Sequence, residues 1–425
     1  MHLTGRARRA FLRAKRSFAE DGPLLVVCVA LVAFGVWIRA VNLGLPHSLT
    51  WDEHHFVENA RNYIHHQHDW NDHPPLGKLL MAPWMLAFGD TSTSFRMSSL
   101  VFGLASIAIA GSLAAHLYRD RRAGWLASAF IAADGFCIAF SKTALLDGVL
   151  TALVLLTAWL VVTGRSLLRL AIAALVIGLA ANVKESGFAL GLPVLLLSLL
   201  RPHPVLRAGL LALAPVAFTG AFCLGLWLAR EPASVVDAWR TALHFVKMHH
   251  DANTFLHPLS SHWYTWFLPI RPITLSYEPA GRHLVRVMTT LGNLALWWAA
   301  PIALVAAGAL SVRAGIRCWR ARSFRARVGR TSRASVVLFS FAMTMLAPWI
   351  IGSQDSYIVH YLPVYATLLI LVAGFTARVY RRRRVPALAF VCVTALVSAF
   401  YAPVWGKLRI TPTAFVERLF FPGWR

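Results

Sequence analysis

Two carboxylates stand side by side in Trp51-Asp52-Glu53, shortly after an apolar stretch that ends near residue 40. Adjacent charges so close to hydrocarbon are costly unless water or a partner compensates them. Two roles suit the pair. In one, Asp52 and Glu53 are a hydrated acidic pair that caps a helix, a task aspartate performs well. In the other, Asp52 is a general base beside a hydroxyl acceptor and near a bound anion, with Glu53 positioning its neighbours. Basic residues supply what the second role needs. Lys78, Arg96, Lys142, Lys184 and His360 each fall at the end of an apolar stretch, on the side of Asp52 when the stretches alternate. Snorkelling to lipid headgroups accounts for one or two of them. Five together point to an anion, and a phosphate leaving group in a membrane-embedded site needs such compensation. Asp147 and Glu185 would be counter-ions in the same constellation, and Asp134, inside an apolar stretch, would face a bundle interior.

Histidines are the other conspicuous group. His54, His55, His65, His66, His68 and His73 invite a zinc reading. Neighbours such as His65 and His66 point different ways on a helix, and no His-x-x-x-His with a supporting Glu is present, as a hydrolytic zinc site would need. No metal is expected. Farther on runs His257-Pro258-Leu259-Ser260-Ser261-His262-Trp263-Tyr264-Thr265-Trp266. Its aromatics suit an interfacial belt. They suit equally the stacking wall of a sugar pocket, with His262, Trp263, Tyr264 and Trp266 as candidates, because aromatic faces match the C–H faces of pyranoses.

These residues must be held by membrane helices. Of 425 residues, 57% are hydrophobic and 14% charged, against about a quarter charged in soluble domains. Stretches near the roughly 20 apolar residues that a span requires recur at 22–40, 97–118, 124–140, 146–163, 169–183, 187–200, 207–228, 288–311, 335–352, 361–379 and 385–402. The expectation is an all-α integral membrane protein of about eleven transmembrane helices. The windows 169–183 and 187–200 are short, which suggests tilt or a break. A net charge of +24 would suggest nucleic acid in a soluble protein. With the N-terminus cytoplasmic, however, 26 of the 42 basic residues fall on the cytoplasmic side beside three acidic ones, while the other side is nearly balanced. That is the positive-inside bias of membrane insertion, so nucleic acid is excluded and the C-terminus is expected outside. The first apolar stretch is long for a signal peptide and lacks a small-residue cleavage pattern, so it reads as an uncleaved span. The five cysteines lie in or beside spans without paired spacing and read as packing residues.

Residues 1–425 read as one transmembrane domain with two long external loops, 41–95 and 229–287. In the first loop Phe56, Val57, Ala60 and Ile64 recur at helical spacing, with Glu58, Arg61 and His65 on other faces. A turn at Asp69-Trp70-Asn71-Asp72 follows. His73-Pro74-Pro75 then favours a helix start, and Leu76 to Phe88 reads as a second interfacial helix.

Trp51-Asp52-Glu53-His54-His55-Phe56 resembles the Asp-Glu motif that opens the first luminal loop of the protein O-mannosyltransferases. His73-Pro74-Pro75-Leu76-Gly77-Lys78 is similar to their His-Pro-Pro-Leu-x-Lys, and Arg96 sits where they carry an Arg leading into the second span. Ser141-Lys142-Thr143-Ala144-Leu145-Leu146-Asp147 resembles their Ser-Arg-x-x-x-Leu-Asp, with Lys for Arg. Asn182-Val183-Lys184-Glu185-Ser186-Gly187 parallels their Lys-Trp-x-Gly region, with Glu for Trp. Arg271-Pro272-Ile273, Gly292 to Trp298, His360-Tyr361-Leu362-Pro363 and Phe421-Pro422-Gly423-Trp424 continue the resemblance to the end of the chain. The Asp52-Glu53 and His73-Pro74-Pro75 pair is shared with lipid A sugar transferases.

The resemblance implies the C-type glycosyltransferase fold, as in bacterial-type members without the soluble luminal domain, in an inner membrane with the active site facing the periplasm. It implies inverting transfer of a sugar, mannose first among candidates, from a polyprenyl-phosphate donor to a protein Ser or Thr hydroxyl. Asp52 would be the base, assisted by Glu53. Lys78, Arg96, His73, Lys142, Lys184, His360 and Tyr361 would hold the donor phosphate, with no cofactor or metal. A lipid A or other glycolipid acceptor is the nearer alternative. A transporter of lipid-linked sugar without chemistry is the farther one.

Overall fold

The computed structural model describes residues 5–68, 72–251, 258–321, 329–352 and 356–424. Residues 69–71 of the expected turn, His257 and Arg322 to Arg327 lie outside the described residues. The helices in chain order are α1 (Gly5–Ala40), α2 (Glu53–His65), α3 (Leu76–Leu79), α4 (Ala82–Phe88), α5 (Ser92–Tyr118), α6 (Arg121–Ala133), α7 (Gly135–Ala139), α8 (Leu146–Thr163) and α9 (Leu167–Ala181). A 3₁₀ turn, Glu185–Leu190, leads into α10 (Gly191–Leu199), α11 (Pro204–Leu210), α12 (Leu213–Leu228) and α13 (Val235–Asp251). An antiparallel hairpin, β1 (Thr274–Pro279) and β2 (Val285–Thr289), precedes α14 (Leu294–Arg320), α15 (Arg330–Ile351), α16 (Leu362–Arg382), α17 (Arg384–Trp405) and α18 (Pro412–Val416).

Among the described residues, eight helical segments are long and apolar enough to cross a membrane, and α9 and Glu185–Leu199 are shorter, as their sequence windows suggested. Leu168, Val205, Ile302, Val305 and Leu396 are all exposed. In water such a rim would drive association; in lipid it is solvated, and the chain is an integral membrane protein. The centre is α16, where 89% of the apolar window is buried, against 22–39% for most other spans. It packs on α6, α14 and α15, while α5 packs on α6 and α8 and α1 on α6. Small residues allow these close approaches. A side chain at Gly35 would bring a Cβ within 2.3 Å of the Ala132 carbonyl oxygen.

Three windows differ from expectation. The stretch 124–140 is not one helix, because Asp134 divides it into α6 and α7. Its Oδ1 accepts from the Cys137 N–H at 3.0 Å, capping α7, and its Oδ2 accepts from the Asn293 N–H at 2.8 Å and the Tyr365 hydroxyl at 2.9 Å. Aspartate competes with the helix for its own backbone donors, which is why it caps better than it propagates. As expected, it faces the interior and is fully buried. The window 288–311 is shifted, since α14 begins at Leu294 and Met288 belongs to β2, a strand pair within a chain expected to be all helix. The run Leu76–Phe88 is two pieces, with Pro83 in the first turn of α4, where its missing N–H is harmless. In the other helix of this loop, α2, Phe56, Val57 and Ala60 are buried and Glu58 and His65 face out as expected, whereas Ile64 and Arg61 are both half-buried and Tyr63, off the expected stripe, is buried.

Candidate active site

The site begins at a tight turn. Trp51 adopts φ +51°, a left-handed conformation uncommon for a bulky residue, and Asp52 caps the start of α2 without using its side chain for the cap. Glu53 holds the turn shut. Its Oε2 accepts from the Thr50 N–H at 3.0 Å and hydroxyl at 2.9 Å, and its Oε1 accepts from the Ala144 N–H at 2.8 Å. Arg96, entering from α5, donates to both oxygens at 2.8 and 2.7 Å. Burial pushes the Glu53 carboxyl up, but Arg96 and the Ala144 N–H outweigh it and hold Glu53 below the usual carboxylate range.

Asp52 is the opposite case. Its carboxylate opens into a cavity of about 590 Å³ also lined by Trp51, Phe56, Asp72, His73, Asp147, Lys184, Glu185, His249, Trp349, Tyr357 and His360. Water reaches it, yet the walls surround it. Burial in this cleft raises its carboxyl above the ordinary range, with Lys184 the main opposing charge. A carboxylate of raised basicity in a cleft is suited to accept a proton.

Across the cavity, Lys184 Nζ sits 2.9 Å from both Asp147 oxygens, and His360 Nδ1 lies 3.4 Å from Lys184 Nζ. The His360 ring stacks on Trp349 at 3.9 Å with 7° between planes. These residues come from the start of α8, the exit of α9, the end of α15 and the entry to α16. On a third wall His73 stacks on His249 at 4.9 Å. Burial and the charge of Lys184 hold the His73 imidazole well below its usual range, so it is neutral near pH 7. The chain before α3 is fastened from behind, because the Leu76 N–H reaches both the Asn182 carbonyl at 3.0 Å and its side-chain oxygen at 3.1 Å.

Three polar atoms on these walls are buried without a hydrogen-bond partner among the described residues: Asp72 Oδ1, His73 Nδ1 and Glu185 Oε1. Nearly all buried polar atoms in folded proteins are satisfied, so these three are candidates to meet a group bound in the cavity. Asp72, His73 and His249 also offer one ligand atom each within 4.8 Å of one another, a spacing that could hold a cation. Sequence spacing did not foresee this group, since His249 follows His73, the neighbour of Asp72, by 176 residues.

The five expected cations do not converge. Lys184 and His360 reach the cavity. Lys78 is buried behind it, with Nζ donating to the His73 carbonyl at 2.5 Å. Arg96 is fully buried, and its remaining donors go to the carbonyls of Leu43, Pro46 and Ser48. Lys142 Nζ donates to the carbonyls of Ile38 and Val41, and burial lowers its pKa well below the usual range. Tyr361 is buried against Trp297 and Phe267, away from the cavity lining.

The aromatic candidates of the second loop also stand back. Trp266 is fully buried, with Nε1 donating to Ser261 Oγ at 3.0 Å, and its ring lies 6.1 Å from Trp349 and 6.4 Å from His360. It braces the wall. His262 and Tyr264 stack on each other at 5.2 Å, and neither they nor Trp263 line the cavity. The aromatics that do are Trp51, Phe56, Trp349 and Tyr357, of which Trp349 and Tyr357 were unmarked in sequence because an apolar window and a short loop conceal them.

Comparison with known proteins places this geometry in a family. Residues 29–92 and 72–223 match models of dolichyl-phosphate-mannose-protein mannosyltransferase, and residues 237–417 match the C-terminal four-TMM region of protein-O-mannosyltransferase. The polyprenol-phosphate-mannose–protein mannosyltransferase of Mycobacterium tuberculosis is 24% identical, over 96% of this chain and 94% of the relative. That of Mycolicibacterium smegmatis is also 24% identical, over 96% and 93%. Among solved structures, the Saccharomyces cerevisiae protein O-mannosyltransferase Pmt1-Pmt2 complex bound to the sugar donor has a similar fold, with TM-score 0.79 and 12% identity over 94% of this chain and 92% of that one. ArnT from Cupriavidus metallidurans bound to undecaprenyl phosphate is similar at TM-score 0.58 and 18% identity, over 89% and 64%. With one family matched along both halves and relatives aligned almost end to end, the chain belongs to the protein O-mannosyltransferases.

Proposed function

We propose that the chain is an inverting glycosyltransferase that moves mannose from a polyprenyl-phosphate donor to a Ser or Thr hydroxyl of a protein, on the non-cytoplasmic face of the membrane. Asp52 takes the hydroxyl proton as the oxygen attacks the anomeric carbon. The bond from that carbon to the phosphate oxygen breaks, its electron pair stays on the phosphate, and the sugar's configuration inverts. A phosphate monoester is a stable leaving group near neutral pH, so no general acid is needed. Its growing charge is met by Lys184, with His360 and the orphaned His73 nitrogen supplying further hydrogen bonds. Glu53 and Arg96 position Asp52 and do not touch the reactants. The transfer as written uses no metal.

The observation that carries this reading is the opposition of Asp52 to the Lys184–Asp147–His360 cluster across one cavity whose walls hold unsatisfied polar atoms. A carboxylate of raised basicity facing the Lys184 ammonium, with His360 beside it, is what an attacking hydroxyl and a departing phosphate require. The test is incubation of the purified protein with several polyprenyl-phosphate sugars, a Ser/Thr-containing peptide and a lipid A acceptor, followed by mass spectrometry. The reading expects mannosylated peptide. Glycosylated lipid with unmodified peptide would move the chain to a glycolipid acceptor, and intact donor with every acceptor would remove the reaction.

A further inference from the structure

At the end of the bundle away from Asp52, a cavity of about 650 Å³ is lined by Arg119, Arg165, Arg201, Arg207, Arg330 and Arg333. These arginines come from the end of α5, the α8–α9 link, the α10–α11 link, α11 and the start of α15. The helix α5 begins beside the active site and runs 27 residues, about 40 Å at 1.5 Å per residue, so the two cavities lie on opposite sides of the apolar belt. No carboxylate is among the described lining residues, and Val162, Leu197 and Val337 give the wall an aliphatic side.

The two innermost guanidinium groups are fixed by carbonyls, which orient a charge without neutralising it. Arg201 donates to Gly164 and Val161 at 2.9 and 2.7 Å. Arg207 donates to Pro202 and Arg165 at 2.8 and 2.7 Å. Arg207 is only 6% exposed, and its Nη1 is buried with no hydrogen-bond partner among the described residues. Snorkelling does not produce this arrangement, because a snorkelling head ends in water or among headgroups. Burial together with the charges of Arg207 and Arg165 lowers the pKa of Arg201, a sign of like charges held close.

We propose that this cavity binds the phosphate group of an anionic membrane lipid, taken from the leaflet opposite the active site, with Arg207 as the innermost contact. A planar guanidinium fork suits phosphate oxygens, basic pockets between spans are suited to lipid headgroups, and the aliphatic wall suits the start of an acyl chain. The bound lipid ties α5, α8, α11 and α15 together where no ion pair with a lining carboxylate does so.

The experiment uses the full-length protein purified in neutral detergent and native mass spectrometry, with three separate titrations: phosphatidylglycerol, phosphatidylcholine and inorganic phosphate. The wild type should retain phosphatidylglycerol in preference to phosphatidylcholine, and inorganic phosphate should not displace it at equal concentration. Arg330→Gln/Arg333→Gln, both at the exposed rim, should weaken phosphatidylglycerol binding at least about tenfold, as lost charge-assisted bonds would. Arg207→Gln should weaken it further. Arg313→Gln/Arg317→Gln/Arg382→Gln removes exposed charge elsewhere at the same end and should bind as the wild type does. Equal loss in the control and rim variants, or no loss in the rim variant, overturns the site. Displacement by inorganic phosphate at equal concentration overturns the lipid as its source. Each variant's melting temperature in phosphatidylcholine separates lost binding from lost fold.

Discussion

Arg96 and Glu53 form a two-pronged ion pair, 2.8 and 2.7 Å, in which neither side chain is exposed. Arg96 is therefore a structural partner of the residue after the proposed base. Arg96→Ala strands a buried carboxylate and should cost about 3–5 kcal/mol of stability. Arg96→Lys should recover only part of that, because an ammonium cannot reproduce the fork. Thermal unfolding of the purified variants is the measurement, alongside the donor KM of whatever remains folded. A stable Arg96→Ala protein with a raised donor KM would return Arg96 to the phosphate.

Asp52→Asn keeps the shape of the turn and removes its basicity. Turnover should fall by about two to four orders of magnitude, with donor affinity little changed. The melting temperature should hold or rise, since a carboxyl whose folded-state pKa is raised binds its proton more tightly when folded, so ionised Asp52 opposes folding at neutral pH. Near-normal turnover in Asp52→Asn would end its role as base.

The same shift has a pH signature. A base works only when deprotonated, so kcat/KM should fall as pH drops through the raised Asp52 pKa. The acidic limb of the profile should thus lie above the ordinary carboxylate range. Rate measurements from pH 4 upward, with unfolding followed in parallel, test this. An acidic limb at or below the usual aspartate value contradicts it.

Lys184 is the cation expected to meet the donor phosphate. Lys184→Ala removes a charge-assisted contact worth about 1.5–3 kcal/mol, a loss of roughly ten- to hundredfold in kcat/KM. It also leaves Asp147 unpaired, so the double variant Lys184→Ala/Asp147→Asn should be less impaired in stability than the sum of the single changes. Strict additivity, with donor kinetics unchanged, would dissociate the pair from catalysis.

Orientation rests on the arginine bias. Alkaline phosphatase fused after Trp424 should be active, and fusion within 313–321 should be inactive. The reverse pattern would place Asp52 on the cytoplasmic side.

The apolar windows and the amphipathic period of α2 were legible because burial in lipid and burial against a bundle both leave a repeat in the residues. Asp52 was legible as a carboxylate where none should be free. The partner of Arg96 was not, because a cation at a span end looks the same whether it meets lipid, phosphate or a buried Glu53 on another segment. The β hairpin had a signal, the alternation of Val285 and Val287 with Arg286 between them, but Met288 to Leu291 merged with the apolar run of α14. His249 joined His73 through tertiary packing alone, and no local spacing could announce it.

Lys184 and Asp147 lie 37 residues apart in the chain, whereas His360 follows Lys184 by 176. During biosynthesis the first two leave the ribosome long before the third. A lone lysine or aspartate entering the bilayer interior is expensive, but an early embrace between them lets both partition as a nearly neutral unit. The pair proposed to meet a leaving group would thus also lower the cost of inserting its own charges.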